Sequence, residues 1–172
     1  MLQWMVFFQA VALVTPAEGG FVPAHVTRTY TQHLAAPPRE VFALLGPVEE
    51  KKWARGWEPR FAFPVGGGDE PGAVFSIAGH GPETLWVLNA FDEHRLYVEY
   101  LQFTPGVRVT VLRITLEPSG QGDETAAEIS YTWTALSEKG SEWLEAHGAH
   151  FEQGMAEWEA ELNGYLRASK RK

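Results

Sequence analysis

The sequence predicts an α+β fold in which a curved antiparallel β-sheet of about seven strands wraps around a long C-terminal α-helix. Three features lead to it: a first strand followed by two short helices, a close succession of strand-like segments, and an amphipathic final segment. A terminal helix of about 30 residues is roughly 45 Å long. Only a broad, concave surface can bury one side of such a helix, and a curved sheet has that shape.

The first strand is predicted at residues 26–35, which are rich in Thr, Val and Tyr. The prolines at 37–38 end this strand, and proline suits the first turn of a helix. The first short helix therefore follows, with an apolar stripe within residues 41–45. A second short helix is predicted at residues 48–55 and ends at Gly56.

The middle of the chain alternates strand-like segments with turns rich in glycine and proline, such as Gly81-Pro82. The strands are predicted at residues 60–65, 73–79, 83–91, 95–103, 107–117 and 125–136. Parallel neighbours need a long crossover connection, which these short turns cannot supply. The strands are therefore expected to form an antiparallel meander.

The terminal helix is predicted as one element over residues 138–168, with Ser137 as its N-cap because a hydroxyl there can accept a hydrogen bond from an orphan backbone N–H. At about 100° per residue, the apolar side chains gather on one side of the helix. This side carries Trp143, Leu144, His147, Phe151, Met155, Trp158, Leu162, Tyr165 and Leu166. The opposite side carries Glu145, Glu152, Glu159 and Asn163.

The composition suits one domain with a bulky core, predicted at residues 23–172. The 172 residues are 45% hydrophobic and 13% aromatic, with seven Trp. A formal net charge of -8 argues against nucleic-acid binding, which needs a clustered basic surface. The chain has no cysteine, which excludes a disulfide framework and a thiolate metal site.

Residues 1–22 are predicted to be an apolar N-terminal extension outside this domain. The apolar run at 1–14 is shorter than the about 20 residues of a membrane span, so no integral span is expected. Thr15-Pro16-Ala17 would suit cleavage of a signal peptide, but the basic start of such a peptide is missing. We favour an extension or an over-long start on a cytoplasmic protein, with export as the alternative.

Four motifs are informative: the stretch at 36–48, Trp53, the pair Gly56-Trp57 and the segment at 104–109. Together they resemble bacterial members of the SRPBCC superfamily. The resemblance covers about residues 26–168 and implies the helix-grip fold of that superfamily, which includes START-like lipid-binding domains, polyketide cyclases, birch-pollen-allergen-like carriers and chaperone ATPase activators. It also implies a deep, largely apolar cavity between sheet and terminal helix. The superfamily has no shared catalytic signature, so the resemblance supplies no active site.

The function implied by this resemblance is binding of a small hydrophobic or aromatic ligand, lipid- or polyketide-like, in that cavity. One alternative is an enzyme of the cyclase or dehydratase kind that uses the same cavity. Another is an interaction domain similar to chaperone activators. No cofactor is expected, and a homodimer is left open.

Aromatic and hydrogen-bonding side chains on strands and helices are the candidates for the cavity wall, because amphipathic aromatics suit such a surface. The predicted ligand-binding residues are Trp53, Trp57, Trp86, Asn89, Tyr100, Tyr131, Trp133, Trp143, His147, Phe151 and Met155. His147 lies in the middle of the apolar helix face, so it either contacts a ligand, as histidine can near neutral pH, or packs in the core.

The catalytic candidates are His147, Glu99 and Arg108. Glu99 and Arg108, with Arg113, could form a buried acid–base group or a cross-strand pair on the solvent face of the sheet. The solvent face is favoured because buried charges are rare. A metal site is not expected, since His147 and His150 lack an evident third ligand.

Overall fold

The computed structural model describes residues 20–77, 84–121 and 123–171. Its strands are β1 His25–Leu34, β2 Pro59–Phe63, β3 Val74–Ile77, β4 Leu85–Asp92, β5 Tyr97–Thr104, β6 Arg108–Ser119 and β7 Glu124–Ala135. Its helices are α1 Pro38–Phe42, a 3-10 helix Glu49–Lys52, α2 Glu138–Gly148 and α3 Phe151–Ser169. The strands form one seven-stranded antiparallel sheet in the order β1-β7-β6-β5-β4-β3-β2. The predicted fold class and strand order along the chain are confirmed.

Two sequence predictions fall on residues that the structure does not describe. Residues 1–19 of the predicted N-terminal extension lie outside the described ranges, and so does the turn at Gly81-Pro82. Within the described ranges, none of the helices combines the length and the apolar character needed to cross a membrane.

The single terminal helix predicted at 138–168 is wrong, because this segment forms two helices. The break follows Gly148, and glycine is a poor helix former. The backbone N–H of His150 donates to the carbonyl of His147 at 3.1 Å, so the last turn tightens to three-residue spacing. His150 itself has non-helical backbone angles, φ -108° and ψ 7°. Helical bonding resumes where the N–H of Gly154 reaches the His150 carbonyl.

The second short helix is also shorter than the predicted 48–55. Only Glu49–Lys52 is helical, and it is a 3-10 helix. Trp53 leaves the helical region with a φ of -134°. Gly56 then reverses the chain with a φ of +76°, a conformation that glycine adopts readily. The short helix therefore delivers the Trp53 side chain directly to the interior.

Alternation along the central strands gives the curved sheet one buried face. On β5, Val98, Tyr100 and Gln102 are buried, whereas Glu99 points to the opposite face. The apolar residues of α2 and α3 belong to the same core as these inward strand residues. The core therefore lies between the concave face of the sheet and the C-terminal helices.

Helix α3 also protects β1, which lies at one edge of the sheet formed by the described residues. Asn163 accepts a hydrogen bond from the N–H of Ala35 at 2.8 Å and donates one to the carbonyl of His33 at 2.8 Å. Glu159, one turn earlier, accepts from the N–H of His33 at 3.2 Å. The sequence-based placement of Asn163 on the solvent side is therefore wrong, because its amide satisfies an otherwise open sheet edge.

Candidate functional site

The candidate site is a cavity of about 460 Å³ between the sheet and α3. The strands β4 to β7 each contribute one inward side chain, and the segment from the 3-10 helix to Trp57 closes one end. The lining residues are Glu50, Trp53, Ala54, Arg55, Trp57, Trp86, Tyr100, Leu112, Tyr131, Gly154, Glu157, Trp158 and Glu161. This volume lies within the range of roughly 300–1,000 Å³ that is typical of small-molecule sites.

Aromatic rings form most of the apolar wall, and they pack on one another. The indoles of Trp53 and Trp158 stack at 6.0 Å with an interplanar angle of 3°. Trp86 meets the rings of Trp57 and Tyr100 edge-on, at 5.4 and 5.8 Å. Such pairs stabilise the core by about 0.5–1.5 kcal/mol each beyond the burial of their surface. The wall is therefore preorganised without a ligand.

A row of consecutive backbone carbonyls at residues 44–47 holds four lining residues in place. The indole N–H groups of Trp53 and Trp57 donate to the first and the fourth carbonyl, at 2.8 and 2.9 Å. The Tyr100 hydroxyl donates to the second at 2.8 Å. The backbone N–H of Glu50 donates to the third at 2.9 Å. The link between α1 and the 3-10 helix thus orients two rings, a phenol and a carboxyl group at once.

Glu50 is the acidic group of the cavity interior, and it is 4% exposed. Its Oε1 atom lies 3.3 Å from the Tyr100 hydroxyl oxygen. Burial raises the pKa of Glu50 well above its ordinary value, because a charged carboxylate loses its hydration there. Burial likewise raises the pKa of Tyr100 and of Tyr131. Burial therefore favours the uncharged, hydrogen-bonding form of all three groups.

The charged lining residues are at the mouth of the cavity. Arg55, whose side chain is 90% exposed, pairs with Glu161 at 3.6 Å. Glu157 accepts a hydrogen bond from Gln153 at 2.9 Å. Deeper along α3, the indole Nε1 of Trp158 is buried and has no hydrogen-bond partner in the described part of the chain. The cavity therefore combines an acidic mouth with an apolar wall.

The structure brings together five of the predicted ligand-binding residues at this cavity, namely Trp53, Trp57, Trp86, Tyr100 and Tyr131. The other six predicted residues are not among its lining residues: Asn89, Trp133, Trp143, His147, Phe151 and Met155. Phe151 and Met155 are buried core residues of α3. Their ligand-binding role remains a prediction.

His147 belongs to an aromatic cluster with Trp133 and Trp143, none of which is a lining residue of the cavity. Its ring stacks on Trp143 at 4.2 Å and meets Trp133 edge-on at 5.8 Å. Arg108 lies over the Trp143 ring, with its Cζ atom 3.7 Å from the ring centroid. Arg108 is 7% exposed, so the favoured prediction that it lies on the solvent face of the sheet is wrong. Burial lowers the pKa of its guanidinium group. A cation over an indole face is a stable arrangement in such a place.

Glu99 lies on the opposite face of the sheet from the cavity, in a polar cluster. It accepts hydrogen bonds from Asn89 at 2.6 Å, from Tyr97 at 2.7 Å and from Arg113 at 2.8 Å. Partial burial alone would raise its pKa, but these three donors lower the pKa of Glu99 below its ordinary value. For Glu99 and Arg113 the structure shows the solvent-face cross-strand pair, separate from the residues of the cavity.

The remaining lining residues were missed from the sequence: Glu50, Ala54, Arg55, Leu112, Gly154, Glu157, Trp158 and Glu161. Trp158 was identifiable, because it lies on the apolar side of the terminal helix. Glu50 gave no signal, because it follows Glu49 and precedes two lysines in what reads as a solvated charge run. Only the folded structure distinguishes the two acids, through the burial of Glu50 and its contact with Tyr100.

No protein-family model and no curated protein matches the chain. Among solved structures, norcoclaurine synthase from Thalictrum flavum has a TM-score of 0.64 and 11% identity, covering 96% of this chain and 98% of that one. CalU16 from Micromonospora echinospora has a TM-score of 0.56 and 16% identity, covering 85% and 83%. Ara h 8.0201 has a TM-score of 0.56 and 15% identity, covering 84% and 99%. These similarities show the helix-grip fold.

Proposed function

We propose that the protein is a member of the SRPBCC superfamily that binds a small hydrophobic or aromatic molecule between its sheet and helix α3. The observation that carries the proposal is the aromatic-walled cavity of about 460 Å³. Apolar surface removed from water stabilises a complex by about 25 cal/mol per Å². Stacked and edge-on indoles supply such surface with little loss of side-chain freedom, because packing already holds them.

A similar structure supports this use of the fold. Norcoclaurine synthase from Thalictrum flavum in complex with dopamine and hydroxybenzaldehyde has a TM-score of 0.62 and 11% identity to this chain, covering 100% of this chain and 99% of that one. In that protein the ligands are small aromatic molecules. The lining residues of our chain suit the same general class, whereas the identity of its ligand is a matter for experiment.

The chain offers a matched pair of glycines for the test. Gly154 lines the cavity, and a Cβ atom added there would meet nothing within 4 Å. Gly164 lies on the same helix, is not a lining residue, and also has open space around an added Cβ atom. Leucine at either position suits a helix better than glycine. Only leucine at 154 would extend into the mouth of the cavity.

The experiment is a fluorescence titration of wild type, Gly154→Leu and Gly164→Leu with the uncharged probe N-phenyl-1-naphthylamine. We expect binding by wild type and Gly164→Leu, and a loss of about tenfold or more in affinity for Gly154→Leu, or at least 1.4 kcal/mol. Native mass spectrometry of the purified protein, followed by extraction, would identify any co-purifying molecule. Equal affinities for the two leucine variants would reject the cavity as the binding site.

A further inference from the structure

The chemical character of the cavity depends on one buried acid, Glu50. No lysine or arginine of the described residues lies within ion-pair distance of its carboxyl group. Its side-chain hydrogen-bond partner in the described ranges is the Tyr100 hydroxyl, at 3.3 Å. A buried carboxylate without a cation and without strong donors is costly, whereas a neutral carboxylic acid in the same place costs far less.

The hydrogen atoms of this group can be assigned from the distances. Tyr100 has a single hydroxyl hydrogen, and its shorter bond, 2.8 Å, goes to the carbonyl oxygen of Leu45. That hydrogen is therefore directed away from Glu50, whose contact with the phenol is the longer one at 3.3 Å. Glu50 thus receives little stabilisation as an anion. As an acid it has an O–H hydrogen to donate.

The other titratable groups around Glu50 do not offset its burial. Asp69, in the β2–β3 connection, raises the pKa of Glu50 further by charge repulsion. Tyr131 faces it from β7 as a neutral phenol. At the mouth, Arg55 already pairs with Glu161, and Glu157 adds a further negative charge to the lining.

We propose that Glu50 is held as a neutral carboxylic acid whose O–H donates a hydrogen bond to a carbonyl oxygen of the bound molecule. The cavity then selects uncharged aromatic carbonyl compounds over hydrocarbons of the same shape, and the acidic mouth disfavours anions. This inference rests on the proposed function and adds the chemical class of the ligand.

The first test compares two probes of matched shape, 2-acetylnaphthalene and 2-ethylnaphthalene, by calorimetric titration. Wild type should bind the ketone about tenfold more tightly, because the hydrocarbon leaves a buried donor unpaired. Glu50→Met should lose this preference while binding the hydrocarbon at least as well as wild type. Glu49→Gln, at the neighbouring position outside the lining, should keep the preference.

The outcomes separate the two proposals. Equal affinity of wild type for both probes, or an unchanged ketone preference in Glu50→Met, would overturn the assignment to Glu50 and leave the binding cavity intact. Failure of wild type to bind either probe would overturn both proposals.

A second measurement needs no ligand and no apolar variant. Infrared difference spectra of wild type against Glu50→Gln at pH 7 should show the carbonyl stretch of a protonated carboxyl group in wild type alone. A carboxylate band in its place would refute the neutral acid.

A third measurement uses the bound ketone itself. The carbonyl stretch of carbon-13-labelled 2-acetylnaphthalene should shift to lower frequency on binding to wild type, as a hydrogen-bonded ketone does, and an unshifted band would contradict the proposal.

Discussion

The burial of Glu50 makes a sharp prediction about stability and pH. The pKa of Glu50 is raised in the folded protein and lies at about 4.3 in an unfolded chain. At a pH between the unfolded and the folded pKa, the carboxyl group of Glu50 therefore holds a proton in the folded state that it has lost in the unfolded state. Under that condition the free energy of unfolding falls as pH rises. The stability associated with this proton is present below the unfolded pKa and is lost progressively up to the folded pKa. Glu50→Gln carries no such proton and escapes the loss.

The magnitude follows from linkage. For each pH unit that separates the two pKa values of Glu50, the wild type loses about 1.4 kcal/mol that the glutamine variant keeps. The substitution changes the volume little, and the glutamine amide can donate to the Tyr100 oxygen that now lies 3.3 Å from the carboxyl group. We therefore expect Glu50→Gln to be more stable than wild type at pH 7, with the difference shrinking towards pH 4.

Urea unfolding of both proteins across pH 4 to 8, followed by tryptophan fluorescence, measures this difference. Glu49→Gln is the matched control, because its carboxylate is partly exposed and pairs with Lys52, and losing such a surface pair changes stability by about 0–1 kcal/mol. A constant difference between Glu50→Gln and wild type over the whole pH range would refute the reasoning. The reasoning would also be refuted if the stability of Glu50→Gln relative to wild type were lower at pH 7 than at pH 4.

Three further predictions concern positions outside the cavity. Gly140→Ala should destabilise the protein by about 1–3 kcal/mol in thermal unfolding, because the added methyl would lie 2.0 Å from a backbone carbonyl oxygen of the β5–β6 turn. Its control is Gly164→Ala, in open space, which should stabilise the protein by up to about 1 kcal/mol. Ser137→Ala should cost about 1 kcal/mol through loss of the cap on the Gly140 N–H, and an unchanged melting temperature would contradict this. His147→Phe should leave probe affinity unchanged, because His147 is not a lining residue of the cavity, and a weakened titration would assign it a ligand role.

The secondary-structure order was predictable because it depends on local signals. The prolines at 37–38, the turn residues between strands and the Ser137 cap act within a few residues of their own positions. The break near Gly148 was not predictable from the apolar pattern, because that pattern continues across it from His147 to Phe151. Four-residue spacing reports which side of the chain is buried and does not report whether the helix is continuous.

The candidate site was only partly predictable, for a related reason. Trp53, Trp57 and Trp86 are bulky aromatics that are buried in most folds, so they were identified on side-chain type alone. Asn89 was not separable from the cavity residues in the sequence, because the register shift between Leu88 and Ala90 changes the alternation of β4. One irregularity of this kind decides which face of the sheet a polar residue occupies.

By itself, the sequence determined the fold class of this protein: a strand-rich fold with an antiparallel meander, a capped amphipathic C-terminal segment and enough tryptophan for a bulky core. Those properties come from periodicity, turn residues and composition, which act locally or in sum. The tertiary structure alone decided that the carbonyls of residues 44–47 hold the cavity wall, that Asn163 covers a sheet edge, and that Glu50 is buried beside Tyr100. The contacts of Asn163 and of Glu50 join groups far apart in the chain, and the free energy of a buried polar group depends on the partners that folding brings to it.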